Sequence, residues 1–167
     1  VENEGDNALK FYAEKFENQI LDVIEVSQQE VEEAISLVDE ELKIAINTAK
    51  KNIEKFHQSQ KEIPQQIETT EGVVCWRESR AIDKVGLYIP GGTAALFSTV
   101  LMLAVPAQIA GCKEIILCSP PQKNGKINPI ILYVANLCRV SKIFKVGGAQ
   151  AIAAMSLGTE TVPKVYK

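Results

Sequence analysis

The chain has 167 residues, 46% hydrophobic and 23% charged, with a formal net charge of −3. That length and composition suit a soluble chain able to bury a core of its own, and the missing basic surplus argues against nucleic acid or an anionic membrane as partner. The longest apolar run, Thr99 to Ala110, is broken by Pro106 and Gln108 and is too short to span a bilayer.

The first part, up to Pro64, is helical, charged and poor in glycine. A first helix follows Gly5-Asp6, with Leu9, Phe11, Tyr12 and Phe16 as its apolar points. A second starts at Ser27 and Glu30, an S-x-x-E capping box flanked by Val26 and Val31 as a hydrophobic staple. Apolar residues then recur at Val31, Ile35, Val38, Leu42, Ala45, Ala49, Ile53 and Phe56. Steps of three and four predict one helix of about 29 residues, roughly 43 Å long. The stripe fits either packing on its own domain or a seam between subunits.

Beyond Pro64, glycine, proline and β-branched residues dominate. Gln66 to Ile82 reads as extended strands or a hairpin turning at Glu71-Gly72, with Trp76 as a partly buried packing residue. Three apolar runs follow, Val85–Ile89, Glu114–Cys118 and Lys142–Val146, each ending in a loop that leads into a helical pattern. Their spacing is that of successive βα units, which predicts parallel strands with helices on both faces. The terminal VPKVY reads as the first half of a fourth strand. The fold class is therefore α/β: an N-terminal helical and β-hairpin segment followed by an incomplete Rossmann-like parallel sheet.

Ligands of open parallel sheets sit beyond the carboxyl ends of the strands. Two of those ends are glycine pairs. Gly91-Gly92 precedes a helix whose first turn offers Thr93, Ser98 or Thr99 as caps, and Gly147-Gly148 precedes a helix starting near Ala149. Such turns let the backbone come close to phosphate, and they are equally at home as structural βα turns. Neither is a G-x-G-x-x-G fingerprint or a P-loop. Tyr88 and Gln150 flank the two turns at the same sheet edge. Tyr88 suits a half-buried strand position or a nucleotide contact, and Gln150 an exposed first-turn position or a nucleotide contact.

The single histidine, His57, stands near the end of the charged helix, as a helix-end residue or a distant site residue. No metal-ligand cluster, nucleophile set or general base is apparent around the glycine turns. Cys118 and Cys138 read as buried free thiols of a reducing cytoplasm, while Cys75 and Cys112 lie near element ends. There is no signal peptide and no initiator Met, and VPKVYK has no cap after it, so both ends read as cuts in a longer protein.

The runs VGLYIPGGTAALFSTVLMLAVPAQIAGCKEIILCSPP and KIFKVGGAQAIAAMSLGTETVPKV resemble histidinol dehydrogenase, and GDNAL, the capped helix ending FHQSQ and the strand region before VGLYIPGG resemble it in the same order. The resemblance implies oxidation of L-histidinol by way of histidinal to L-histidine with two NAD+, helped by zinc and a Glu-His pair, in a cytoplasmic homodimer of discontinuous domains. It places Tyr88 and Gln150 on the cofactor-binding positions for NAD. It also implies that residues 1–87 belong to a domain completed by later sequence and that 88–167 form most of the next. The third NAD contact, the zinc ligands and the catalytic pair are expected beyond Lys167, leaving this N-terminal part without catalytic or metal residues and inactive alone. Departures are small: Ala95 where proline is usual, Tyr166 where aspartate is frequent, and a longer QKNGKINP segment. A non-catalytic nucleotide- or phosphate-binding module, or a dimerisation piece, is the alternative.

Overall fold

The structure, a computed structural model, describes residues 1–92 and 94–167. Helix α1 (Gly5–Glu17) starts on a glycine at φ +47 and stops at Asn18 in the left-handed region. The Asp6 carboxylate gathers donors from the other end of the chain: Thr159 Oγ1 at 2.6 Å, the Thr161 amide at 3.3 Å, and Thr161 Oγ1. In return the Asp6 amide donates to Glu160 Oε2 at 2.8 Å. Position 5 favours glycine for its positive φ, and the Glu160 carboxylate lies where a Cβ would stand and would have to move aside for one.

The expected single helix is two. The capping box forms as read, with Ser27 Oγ accepting from the Glu30 amide and Glu30 Oε2 accepting from the Ser27 amide. But α2 (Gln28–Leu37) ends at Val38, and α3 (Glu40–Gln58) starts afresh. Asp39 is extended, and its Oδ1 accepts from the Leu42 amide at 2.8 Å, a second N-cap followed by Glu40 and Glu41 in the first turn. A cap and two acids at a helix start outweigh a hydrophobic period that runs through them. Most of the stripe packs inward: Val31 and Val38 are buried and Ile35, Leu42, Ala49 and Ile53 lie against the same core, whereas Ala45 and Phe56 are exposed; Ala34 and Ile46, outside the stripe as read, are buried instead.

Strands β1 (Gln66–Thr70) and β2 (Val73–Trp76) form the expected antiparallel hairpin. Every residue of it is exposed, and Trp76, expected to be partly buried, is 59% exposed. The hairpin pairs only with itself, so neither of its faces has a layer to pack on among the described residues.

The main sheet is parallel, in the order β3 (Lys84–Tyr88), β4 (Glu114–Cys118), β5 (Lys142–Phe144). Helices α4 (Phe97–Ala110), α5 (Pro129–Leu137) and α6 (Gly148–Leu157) alternate with and follow these strands. Side chains alternate faces along each strand. Leu87, Ile115, Leu117 and Ile143 join the core under α2 to α5, while Ile116, Cys118 and Phe144 join the core formed with Leu9 of α1 and Ala151, Ala154 and Met155 of α6. Both faces are apolar because both are covered. At one edge, residues 24–26 add an antiparallel bridge to β5, through Val26 N to Ile143 O and Lys145 N to Ile24 O, both 2.8 Å. At the other, the segment read as a fourth strand runs parallel to β3, with Tyr166 N donating to Lys84 O and Gly86 N to Lys167 O. It forms no ladder strand of its own.

Lys145 and Glu30 make a largely buried ion pair at 2.7 Å, linking the capping box to the end of β5. Burial pushes the Glu30 pKa up, but the Lys145 hydrogen bond and charge and the Ser27 hydrogen bonds outweigh it and hold the group below 4.5. A depressed carboxylate contributes stability above its unfolded pKa and loses it as pH falls. Glu30→Gln is expected to lower the urea midpoint at pH 7, and the gap from the wild type should close as pH drops below about 4.5; a gap that stays constant with pH would show that the pair contributes nothing. Asp39→Ala removes the second cap and should cost about 1 kcal/mol in the same titration, with a neutral result meaning that packing alone places the break. Burial raises the thiol pKa of Cys118 to about 12 and of Cys138 to about 11, whereas Cys75 is exposed. Thiol labelling followed by mass spectrometry should therefore modify Cys75 first and leave Cys118 and Cys138 unmodified until the protein unfolds.

Candidate functional site

The loops after β3, β4 and β5 meet at one edge of the sheet, where an open α/β fold places its ligands. They carry Pro90-Gly91-Gly92, Ser119-Pro120-Pro121 and Gly147-Gly148. The backbones crowd closely here. A Cβ on Gly91 would lie 2.5 Å from Pro120 Cγ, and one on Gly147 would lie 2.3 Å from Glu17 Oε1 and 2.6 Å from Pro120 Cβ. These glycines are therefore needed for packing between the three loops, whatever else they approach.

Tyr88 is the last residue of β3, half-buried against the α1–α6 core. Its Oη accepts from the Gly148 amide at 3.0 Å. Gly148 has φ +61, a conformation that brings this first amide of α6 to the tyrosine. Gln150, which as an ordinary first-turn residue would be exposed, is only 9% exposed. Its Nε2 reaches 3.5 Å from Glu17 Oε1. The structure thus brings both sequence-selected residues to the same glycine turn, 60 residues apart in sequence for the tyrosine pair.

The first glycine turn differs from its sequence reading. Helix α4 begins only at Phe97, its N-cap is Leu96, and no side chain caps it. Ser98 and Thr99 lie inside the helix, not at its cap, because the loop runs on past Ala95 before turning helical. Thr93, the remaining candidate cap, lies outside the described residues. Between this loop and the one after β4 opens a cavity of about 310 Å³, lined among others by Glu17, Gln19, Gly91, Gly92, Ser119 and Lys123. That is the lower end of the range for small-molecule sites, about 300–1,000 Å³.

Glu17 is the residue that sequence reasoning missed. It ends α1, lines the cavity, and touches Gln150 across the chain. Partial burial raises its pKa, and its Oε2 is buried with no hydrogen-bond partner among the described residues. No local motif marks it; only the long-range docking of α1 brings it to the glycine turn. His57 stays at the end of α3, with Nδ1 at 2.7 Å from Gln60 Oε1 and its ring edge-on to Phe56. Among the described residues, no group of three or more His, Cys, Asp or Glu is placed to hold a metal ion. No helix among them is long and apolar enough to cross a membrane.

The family model for histidinol dehydrogenase matches residues 1–167. The histidinol dehydrogenase of Bacteroides thetaiotaomicron is 59% identical over 167 residues, all of this chain and 39% of that protein. The enzyme of Escherichia coli O157:H7 is 53% identical over 167 residues, again all of this chain and 38% of the relative. The crystal structure of histidinol dehydrogenase from Elizabethkingia anophelis superposes with a TM-score of 0.96 at 58% identity, covering 99% of this chain and 38% of that one. The chain spans about two fifths of the length of these relatives. Along that entire span, sequence and fold agree, and the chain belongs to the histidinol dehydrogenase family.

Proposed function

We propose that this chain supplies one wall of the NAD site of an enzyme that oxidises L-histidinol by way of histidinal to L-histidine, within histidine biosynthesis. The observation that carries the reading is the pairing of Tyr88 Oη with the Gly148 amide, with Gln150 buried at the same turn. When bound, NAD+ accepts a hydride in each of the two successive oxidations. Tyr88 accepts from Gly148 and keeps its own O–H as a donor toward a cofactor oxygen. Gln150 has its amide N–H turned to Glu17, leaving its carbonyl oxygen to accept from a hydroxyl. The tight Gly147-Gly148 turn lets α6 present its N-terminal end closely to a phosphate-bearing ligand.

Zinc has no ligand set among the described residues, so no step is assigned to it in this chain. The zinc ligands and the acid/base pair belong, in this reading, to the rest of a cytoplasmic homodimer. Residues 1–87 fall to a domain completed by later sequence, and 88–167 to the cofactor-binding one. The chain alone is then inactive and confined to cofactor binding.

Calorimetric titration of NAD+ against the protein, Tyr88→Phe and Tyr88→Ala tests this. Tyr88→Ala should weaken binding roughly tenfold or more, and Tyr88→Phe should lose the part owed to the hydroxyl. Equal affinity in all three would remove Tyr88 from the cofactor site.

A further inference from the structure

Two side chains fill the space over the Gly147-Gly148 turn, and they come from different elements. Glu17, the last residue of α1, has Oε1 where a Cβ on Gly147 would stand. Gln150, in the first turn of α6, has its amide oxygen and nitrogen 2.6 and 3.0 Å from where a Cβ on Gly148 would stand. The two side chains then meet, with Gln150 Nε2 donating to Glu17 Oε1 at 3.5 Å. That is the long limit of a hydrogen bond, so its strength is modest, but its direction is fixed by chemistry. A carboxylate only accepts, so reversing the Gln150 amide would set oxygen against oxygen. On the same turn, Tyr88 Oη accepts from the Gly148 amide.

An acid is an unfavourable group to keep in this place. Its second oxygen, Oε2, is buried with no hydrogen-bond partner among the described residues. Burial raises the Glu17 pKa, and no cation among the described residues offsets it. A side chain that served packing alone would be better here without its charge. Groups whose surroundings oppose their charged form gather at functional sites.

We propose that Glu17 is a positioning residue for cofactor binding: its carboxylate holds the Gln150 amide over the glycine turn, with the amide nitrogen toward α1 and the amide oxygen turned away from it. Glu17 touches no ligand in this role. The role rests on the reading of the turn as part of the NAD site. An amide in place of the carboxylate could accept or donate, so it would no longer fix which way Gln150 faces.

The test is a double-mutant cycle on NAD+ affinity, by calorimetric titration of the protein, Glu17→Gln, Gln150→Ala and the double variant. Glu17→Gln should weaken NAD+ binding about fivefold, the scale of one net hydrogen bond. On the Gln150→Ala background the same change should cost less than about twofold, because the side chain that Glu17 holds is gone. Urea titration separates positioning from packing. Glu17→Gln should keep or raise the midpoint at pH 7, since it removes a charge that burial disfavours. An equal loss of affinity with and without Gln150, or a lowered midpoint alongside weaker binding, overturns the role. If Gln150→Ala weakens binding and Glu17→Gln does not, Glu17 alone is removed and the NAD reading of the turn stands. A wild-type protein that binds no NAD+ removes that reading, and the role of Glu17 with it.

Discussion

The Asp6 carboxylate is where two distant parts of the chain are tied. It takes donors from Thr159 and Thr161, while its own amide is held by Glu160. With its first turn fixed in this way, α1 lies across the face of the sheet against α6, and Leu9 enters the core with Phe144 and Met155. A rigid helix fixed at one end determines where its other end stands. That other end carries Glu17, which meets Gly147 and Gln150 at the sheet edge. The geometry of the cleft thus depends on a polar clasp at the opposite end of the helix.

The remaining architecture follows from covering a parallel sheet on both faces. One layer is built from α4 and α5 with α2 and α3 packed over them, and the other from α1 and α6. The loops of three consecutive units emerge at one edge, where open parallel sheets place their ligands. Glycines and prolines there are forced by contact between loops, Gly91 and Gly147 against Pro120.

Much of this was legible in the residues. The capping box at Ser27 and Glu30, the turn at Glu71-Gly72 and the three apolar strands are local signals, and each appears where its pattern lies. The runs are apolar on both faces, which required two covering layers, but they could not reveal which core each face joins. The failures are instructive in the opposite way. Asp39 was absorbed into a stripe because periodicity ignores polar positions, although a cap followed by two acids is itself a start signal. Trp76 was given a burial that its hairpin cannot provide. Tyr88 and Gln150 stood next to visible turns and drew notice. Glu17 has no such neighbour in sequence, and its place in the cleft exists only after α1 docks.

The bridge between Glu25 and Phe144 has a bearing on how the sheet can grow. Residues 24–26 run antiparallel along β5 and occupy its outer hydrogen-bonding groups at Ile143 and Lys145. An unpaired outer strand is a template for recruiting further backbone. Here that template is already used by the segment leading into α2, so this margin is sealed against strand addition from another molecule. The other margin, at β3, is taken up by Tyr166 and Lys167. The two margins of the sheet are therefore unequal: one is closed by an antiparallel bridge, and along the other residues 166–167 already run beside β3.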